Sequence, residues 1–356
     1  MTIPVSVSLT DLRAQHIPTD TFREALGPGS LGIILVQDLD PYFSDLRRSL
    51  LSYASYLGSL PADELSRLER PDVNFEVGWS CGKESLGDKQ LDSLKGSYYM
   101  QPIHDSNREE RARRLYPNCF ELTTPNVWPE EKTLPGFSKA YEDLVAYVYQ
   151  VAILLVQNCD KYMSASSERH IAGSLEKLVR HSVTTKARLL HYYPPPDAGS
   201  AVDRKSGDSW CASHRDLAAL TGLVPEMFVD EAVHPPYVTV DASVSLPPLS
   251  ELDAHPDPSA GLWIQDQAKH WVHVHIPRNN LAFQIGTVFE RVTGGSLQAA
   301  THHVRRPTSE NAGKIARNTL ALFLQPDLWE KIGDDMVFAD LAKETIAGTN
   351  GWSTGS

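Results

Sequence analysis

His214-Arg215-Asp216 sets an imidazole and a carboxylate two residues apart in a segment of β character. Side chains at i and i+2 of a strand point to the same face, so the two can converge on one point. They would fill two positions around a metal ion, leaving a third ligand to come from another strand. Two histidines and one carboxylate with open positions form the donor set of non-haem iron(II) oxygenases, whose open positions admit a co-substrate and O2. An H-x-D alone is weak evidence, since most such triplets are structural. His302 supplies the candidate third ligand, in the run Leu297-Gln298-Ala299-Ala300-Thr301-His302-His303-Val304. Neighbouring residues of a strand face opposite ways, so only one of His302 and His303 can look inward. Ala300, His302 and Val304 share a small or apolar face, whereas His303 shares its face with Arg305.

Two further segments give the triplet a context. His191-Tyr192-Tyr193-Pro194-Pro195 ends the strand before it, and Arg317-Asn318-Thr319 opens the strand after His302. With these four motifs in this order, the chain resembles the isopenicillin N synthase-like family of iron(II)/2-oxoglutarate dioxygenases, in its clavaminate-synthase-like fungal and plant branch. The family pattern N-x-Y-P, H-x-D, H-x-V, R-x-S is met by His191/Tyr193/Pro194, His214/Asp216, His302/Val304 and Arg317/Thr319, with His for Asn and Thr for Ser. Gly261–Ile264, Trp271-Val272 and Phe283–Gly286 resemble the intervening strands, and Gly32–Val36 the opening one. The likeness covers most of residues 1–330 and is strongest in 185–326. The separation of 86 residues between 216 and 302 exceeds the family's, because a proline-rich insertion occupies 230–260.

The resemblance implies a catalytic iron(II) held by His214, Asp216 and His302, with 2-oxoglutarate as co-substrate and O2 as oxidant. It places Arg317, Thr319, Tyr193 and His191 around 2-oxoglutarate. Charge agrees: iron(II), the Asp216 carboxylate and the 2-oxoglutarate dianion sum to one negative charge in a buried site, and Arg317 offers the balancing cation in a planar fork suited to a carboxylate. The implied reaction oxidises an unactivated C–H of a small molecule, amino-acid-derived or a secondary metabolite, with release of succinate and CO2. Hydroxylation is the default, with desaturation or oxidative ring closure as alternatives. Two rivals are an isopenicillin N synthase-type oxidase using iron and O2 without 2-oxoglutarate, and a non-enzymatic jelly-roll binding protein.

The elements that must position these groups follow from periodicity. After about Thr184 the pattern changes to short β-type runs: Lys186–Tyr193, Ala212–Leu223, Leu262–Gln265, Trp271–Ile276, Leu281–Ile285, Leu297–Arg305 and Asn318–Leu324. Such spacing predicts a sandwich or jelly roll. The expected class is α+β dominated by β, a double-stranded β-helix (jelly roll) with N-terminal and backing helices. Upstream, Leu31–Val36 reads as a buried strand, 42–57 and 170–181 as helices, and 71–117 as loop-rich. Phe137–Met163 carries the strongest helical stripe and is long enough to back a sheet. The expected organisation is a mixed N-terminal region (1–183), a catalytic core (184–330, insertion 230–260) and a C-terminal helix and tail (331–356), together one compact domain. The insertion is expected to act as a stiffened lid over the site.

Composition narrows the partners. A net charge of -12 argues against a nucleic-acid backbone, and Arg111, Arg113 and Arg114 read as a solvated helix face. Four cysteines without C-x-x-C spacing read as reduced thiols of a cytoplasmic protein. No secretory signal or membrane span is evident, and a monomer acting on a small-molecule substrate is expected. Lys83 and Lys95 read as surface charges, His273 and His275 as an exposed strand face, and Trp79, Trp128 and Trp263 as core anchors.

Overall fold

A computed structural model describes residues 3–83, 93–168, 170–194, 209–238, 245–253, 257–307 and 314–349. Twelve strands lie in this range: β1 (Ser6–Ser8), β2 (Ile33–Gln37), β3 (Gly78–Cys81), β4 (Lys95–Met100), β5 (Lys186–Tyr192), β6 (Ser209–His214), β7 (Leu220–Asp230), β8 (Gly261–Gln265), β9 (Trp271–His273), β10 (Leu281–Ile285), β11 (His302–Arg305) and β12 (Ile315–Leu324). The helices are α1 (Leu9–Ala14), α2 (Thr19–Leu26), α3 (Phe43–Gly58), α4 (Ala62–Arg67), α5 (Ser106–Leu115), α6 (Phe137–Ser166), α7 (Ser174–Val179), α8 (Thr287–Val292) and α9 (Phe338–Thr349). Among the described residues no helix is long and apolar enough to cross a membrane.

Eight strands form one sheet in the order β1-β2-β10-β7-β12-β5-β4-β3, antiparallel except for the β1–β2 pair. Four more form a second, antiparallel sheet in the order β6-β11-β8-β9. The expected jelly roll is thus present as two facing sheets rather than as a closed barrel. In the large sheet β1 and β2 form one edge and β3 and β4 the other. Strands β3 and β4 fall in the segment 71–117 that reads as loop, because glycines and polar residues mask a short strand. Their pairing is real and tight: a Cβ at Gly96 would lie 2.1 Å from the Trp79 ring.

Helices α3 and α6 back the large sheet. Leu50, Tyr53, Ala54 and Leu57 of α3 and Leu144, Val148, Val151 and Leu155 of α6 meet Leu189, Leu220, Phe283, Leu320 and Leu322 of the sheet in one core. A smaller apolar cluster lies between the sheets, with Ile33, Leu35 and Ala282 facing Leu262, Ile264 and Ala300. It plugs one end of the inter-sheet space and leaves the other open for a cavity.

The described parts of the 230–260 segment do not line that cavity. Residues 245–253 are strapped instead to the flank of α3. The Tyr53 hydroxyl accepts from the Leu246 N–H at 3.2 Å, Ser52 Oγ accepts from the Leu249 N–H at 2.9 Å, and Arg47 pairs with Glu251 at 2.6 Å. Residues 239–244 and 254–256 lie outside the described residues.

Two smaller readings change. Trp79 and Trp128 pack with the core, but Trp263 lies on the outer face of the small sheet, stacked on His273 at 4.9 Å. Lys95 is 4% exposed and faces the inter-sheet cavity. A lysine reads as surface by type alone, and only the hidden strand β4 turns it inward.

Candidate functional site

The expected continuous strand over 212–223 is two strands. β6 ends at His214 in the small sheet, the chain crosses over through Arg215–Ala219, and β7 starts at Leu220 in the large one. Asp216 therefore sits in the crossover, just past the strand, and the amides after β10 hold it there. The Thr287 N–H donates to the Asp216 carbonyl at 2.8 Å, and the Gly286 N–H to Ala219 at 3.0 Å. Arg215 turns outward to Glu290 at 2.8 Å.

Gly286 is required by this approach. A Cβ there would stand 1.9 Å from the Ala218 carbonyl oxygen and 3.2 Å from that of Asp216, both backbone. Gly286→Ala should displace the crossover and cost about 1–3 kcal/mol of stability, as overpacking does. Thermal unfolding and iron(II) titration check this; unchanged metal affinity would separate the turn from the site.

Antiparallel register brings the histidines together, because His302 is the cross-strand partner of His214. Their rings lie 4.4 Å apart. His214 Nε2 is 3.3 Å and His302 Nε2 3.8 Å from Asp216 Oδ1. The three ligand atoms lie within 4.8 Å of one another and form the one such cluster among the described residues. Donors on adjacent positions of an ion with bonds of about 2.1 Å stand roughly 3 Å apart, so the set fits a single small divalent cation. Asp216 and His302 are buried, while the His214 side chain is 41% exposed at the rim.

The surroundings prepare each donor. His302 Nδ1 lies 3.2 Å from the Ala300 carbonyl, which favours the tautomer that leaves Nε2 a lone pair. Thr221 donates to Asp216 Oδ2 at 2.6 Å. Burial would raise the Asp216 pKa, but His302 and His214 hold the carboxyl well below the usual carboxylate range. Burial would lower His214, but its contacts with Asp216 and Cys211 push it up to about 11. Burial pushes His302 down. To bind a metal ion the three donors must be an ionised carboxylate and two neutral imidazoles, so an ion would displace any proton held among them.

The triad opens on a cavity of about 90 Å3 between the sheets. That is several times the roughly 10–15 Å3 one water needs, so the cavity has room for a small molecule. Its large-sheet wall carries Lys95, Arg188, Tyr192, Glu226, Arg317 and Thr319. Arg317 is 4% exposed, lies over the Tyr192 ring at 4.9 Å and donates from Nη2 to Glu226 Oε2 at 3.0 Å. Thr319 lines the cavity, with its hydroxyl donating to the Val224 carbonyl at 2.8 Å.

His191 and Tyr193 are not brought to this cavity. Arg188, Leu190 and Tyr192 are the β5 residues that face it, so the odd-numbered residues look the other way. His191 Nδ1 meets Asn318 Oδ1 at 2.7 Å beneath α3, and the Tyr193 hydroxyl donates to the Gly58 carbonyl at 2.9 Å. The Y-P motif singles out Tyr193, whereas Tyr192 is the tyrosine paired in register with Arg317 across β5 and β12. Sequence reasoning also passed over Gln284, a lone amide inside the buried run Leu281–Ile285, which lines the cavity. A polar residue in a wholly apolar strand was the available signal.

No family model matches the chain. It is 23% identical over 274 residues to a 2-oxoglutarate-dependent dioxygenase of Gibberella zeae, covering 77% of this chain and 60% of that protein. It is 23% identical over 265 residues to a proline hydroxylase of Petromyces alliaceus, covering 72% and 65%. The chain thus spans less than two thirds of either relative. Among solved structures, a 2OG-Fe(II) oxygenase family protein from Caulobacter crescentus superposes with a TM-score of 0.68 at 17% identity, over 98% of this chain and 100% of that one. A full-length Neurospora crassa protein in complex with alpha-KG and thymine superposes with a TM-score of 0.63 at 15% identity, over 92% and 87%. The likeness to these solved structures shows the fold.

Proposed function

We propose that the chain is an iron(II)- and 2-oxoglutarate-dependent oxygenase, an oxidoreductase acting on a small molecule. The observation that carries this reading is the convergence of His214, Asp216 and His302 at the rim of a cavity whose far wall presents Arg317. Within the family, the order of the four motifs favours the isopenicillin N synthase-like branch, and the fungal relatives favour a substrate from secondary metabolism. When bound, iron(II) with 2-oxoglutarate and O2 supplies an oxidative decarboxylation coupled to oxidation of a substrate C–H.

The chain's own residues bind, orient and exclude water. The triad would hold the metal on one face and leave the cavity side open. Arg317 would take the distal carboxylate of 2-oxoglutarate, with the Tyr192 ring steadying the guanidinium and Thr319 beside it on the same strand face. Tyr192 stands where the family pattern suggests Tyr193. The apolar Leu223, Leu262 and Ile276 lower the polarity of this space, which strengthens each charge contact. Hydroxylation is the default outcome.

Tyr193→Phe should therefore change the 2-oxoglutarate requirement by less than about twofold, while removing one buried hydrogen bond worth about 1 kcal/mol of stability. Tyr192→Leu takes away the ring under the guanidinium and should raise that requirement roughly two- to thirtyfold. Titration of 2-oxoglutarate against succinate release in both variants is the check, and the opposite ranking would restore Tyr193 to the site. The reading as a whole is tested by anaerobic titration of the iron(II) protein with 2-oxoglutarate, followed in the visible spectrum. A charge-transfer band with succinate release on admitting O2 is expected; iron binding without either would favour the oxidase that dispenses with 2-oxoglutarate.

A further inference from the structure

Gln284 is a cavity residue that 2-oxoglutarate does not account for. Strand β10 is buried at every position. Leu281, Phe283 and Ile285 face the helix-backed core, while Ala282 and Gln284 face the small sheet. Gln284 is 1% exposed, and among the described residues neither Oε1 nor Nε2 has a hydrogen-bond partner.

The neighbours cannot supply what is missing. Gln284 is paired in register with Thr221 on β7 and Ile33 on β2. Ile33 is apolar, and the Thr221 proton is committed to Asp216 Oδ2 at 2.6 Å. This same bond puts Gln284 one strand from the carboxylate of the triad. A buried amide with both ends open is costly and complements a ligand that offers an acceptor and a donor side by side.

The 2-oxoglutarate dianion has acceptors only. It could satisfy Nε2 and would leave Oε1 without a proton. Asp216 is likewise an acceptor, and His302 turns its Nδ1 toward Ala300. None of the described residues donates to Oε1, so a second ligand that brings a donor would complete it, in place of any water held there before it binds.

We propose that Gln284 reads the substrate, and that the substrate presents a carboxamide-type edge to it: the N–H and C=O of an amide, lactam or imide. The two groups form a paired contact, substrate N–H to Oε1 and Nε2–H to substrate C=O. The contact sets a C–H near that edge toward the open side of the triad, so Gln284 is a specificity-determining and positioning residue. This inference rests on the reading of the cavity as an iron(II)/2-oxoglutarate site.

The test uses the full chain, loaded anaerobically with iron(II), with and without 2-oxoglutarate, and three probes of one shape. Pyrrolidin-2-one has both donor and acceptor; N-methylpyrrolidin-2-one and cyclopentanone lack the N–H. Ligand-observed NMR should show the lactam binding wild type about tenfold or more tightly than either probe, as expected where a site is built around a hydrogen bond. Gln284→Leu should bring the three within twofold of one another. The same variant should keep metal and 2-oxoglutarate affinity within twofold and unfold at an unchanged or higher temperature, because an unpaired buried amide has been removed. Absent lactam binding, equal binding of the probes by wild type, a preference that survives Gln284→Leu, or a fall in melting temperature would each overturn the proposal. Failure of 2-oxoglutarate to bind is read separately in the same titrations and counts against the co-substrate reading, since the lactam comparison is also made without it.

Discussion

Replacing His302 with Ala should strip the protein of iron, whereas His303→Ala should leave metal content close to stoichiometric. Both are imidazoles in β11, and their separation in effect follows from the alternation of that strand. His302 is 7% exposed and is opposed by His214 across the small sheet. His303 faces outward, its ring 4.2 Å from Trp271 and 6.3 Å from Trp263. Loss of a direct ligand exceeds the ten- to hundredfold effect typical of groups that only orient a ligand, so a fall of roughly a hundredfold or more in iron(II) affinity is expected. His303→Ala loses aromatic contact worth about 0.5–1.5 kcal/mol and no metal donor. Elemental analysis after anaerobic reconstitution decides it. Stoichiometric iron and full activity in His302→Ala would overturn the register and the triad together.

The triad was legible because each donor lies where strand alternation and chain order leave few choices. His214 and Asp216 flank one residue, and His302 differs from its neighbour by facing a small apolar column. What the sequence hides is lateral: which strand lies beside which, and which tyrosine of an adjacent pair looks inward. Strands β3 and β4 are short and glycine-bearing, so their periodicity is too brief to register, and with them went the burial of Lys95. The 230–260 segment reads as a lid from its prolines and its position between motifs, yet residues 245–253 spend their hydrogen bonds on α3. Gln284 could have been singled out, since an amide between Phe283 and Ile285 breaks an apolar run without breaking the strand.

Arg317→Leu should raise the 2-oxoglutarate requirement by about two orders of magnitude or more while leaving iron content near that of wild type. A buried guanidinium paired with a carboxylate contributes through charge-assisted hydrogen bonds, and truncating one partner of such a pair costs about 2–5 kcal/mol. Iron binding should be spared because Arg317 lies on β12 of the large sheet and is not one of the three metal donors. One complication can itself be used. Without co-substrate, Arg317 holds Glu226 Oε2 at 3.0 Å, and the Glu226 side chain is only 22% exposed. The incoming carboxylate must share or displace that contact, so Glu226 is a competitor built into the wall. Glu226→Gln removes the competing charge and should lower the 2-oxoglutarate requirement several-fold. In Arg317→Leu the same Glu226 is left facing the cavity without this cation and repels the dianion. The double variant Arg317→Leu with Glu226→Gln should then recover part of the loss, and the shortfall measures what Arg317 does directly. Calorimetric titration of 2-oxoglutarate into the four iron(II) proteins reads all of these on one scale. A 2-oxoglutarate affinity unchanged by Arg317→Leu would remove this residue from the co-substrate site and move attention to Lys95 and Arg188 on the same wall.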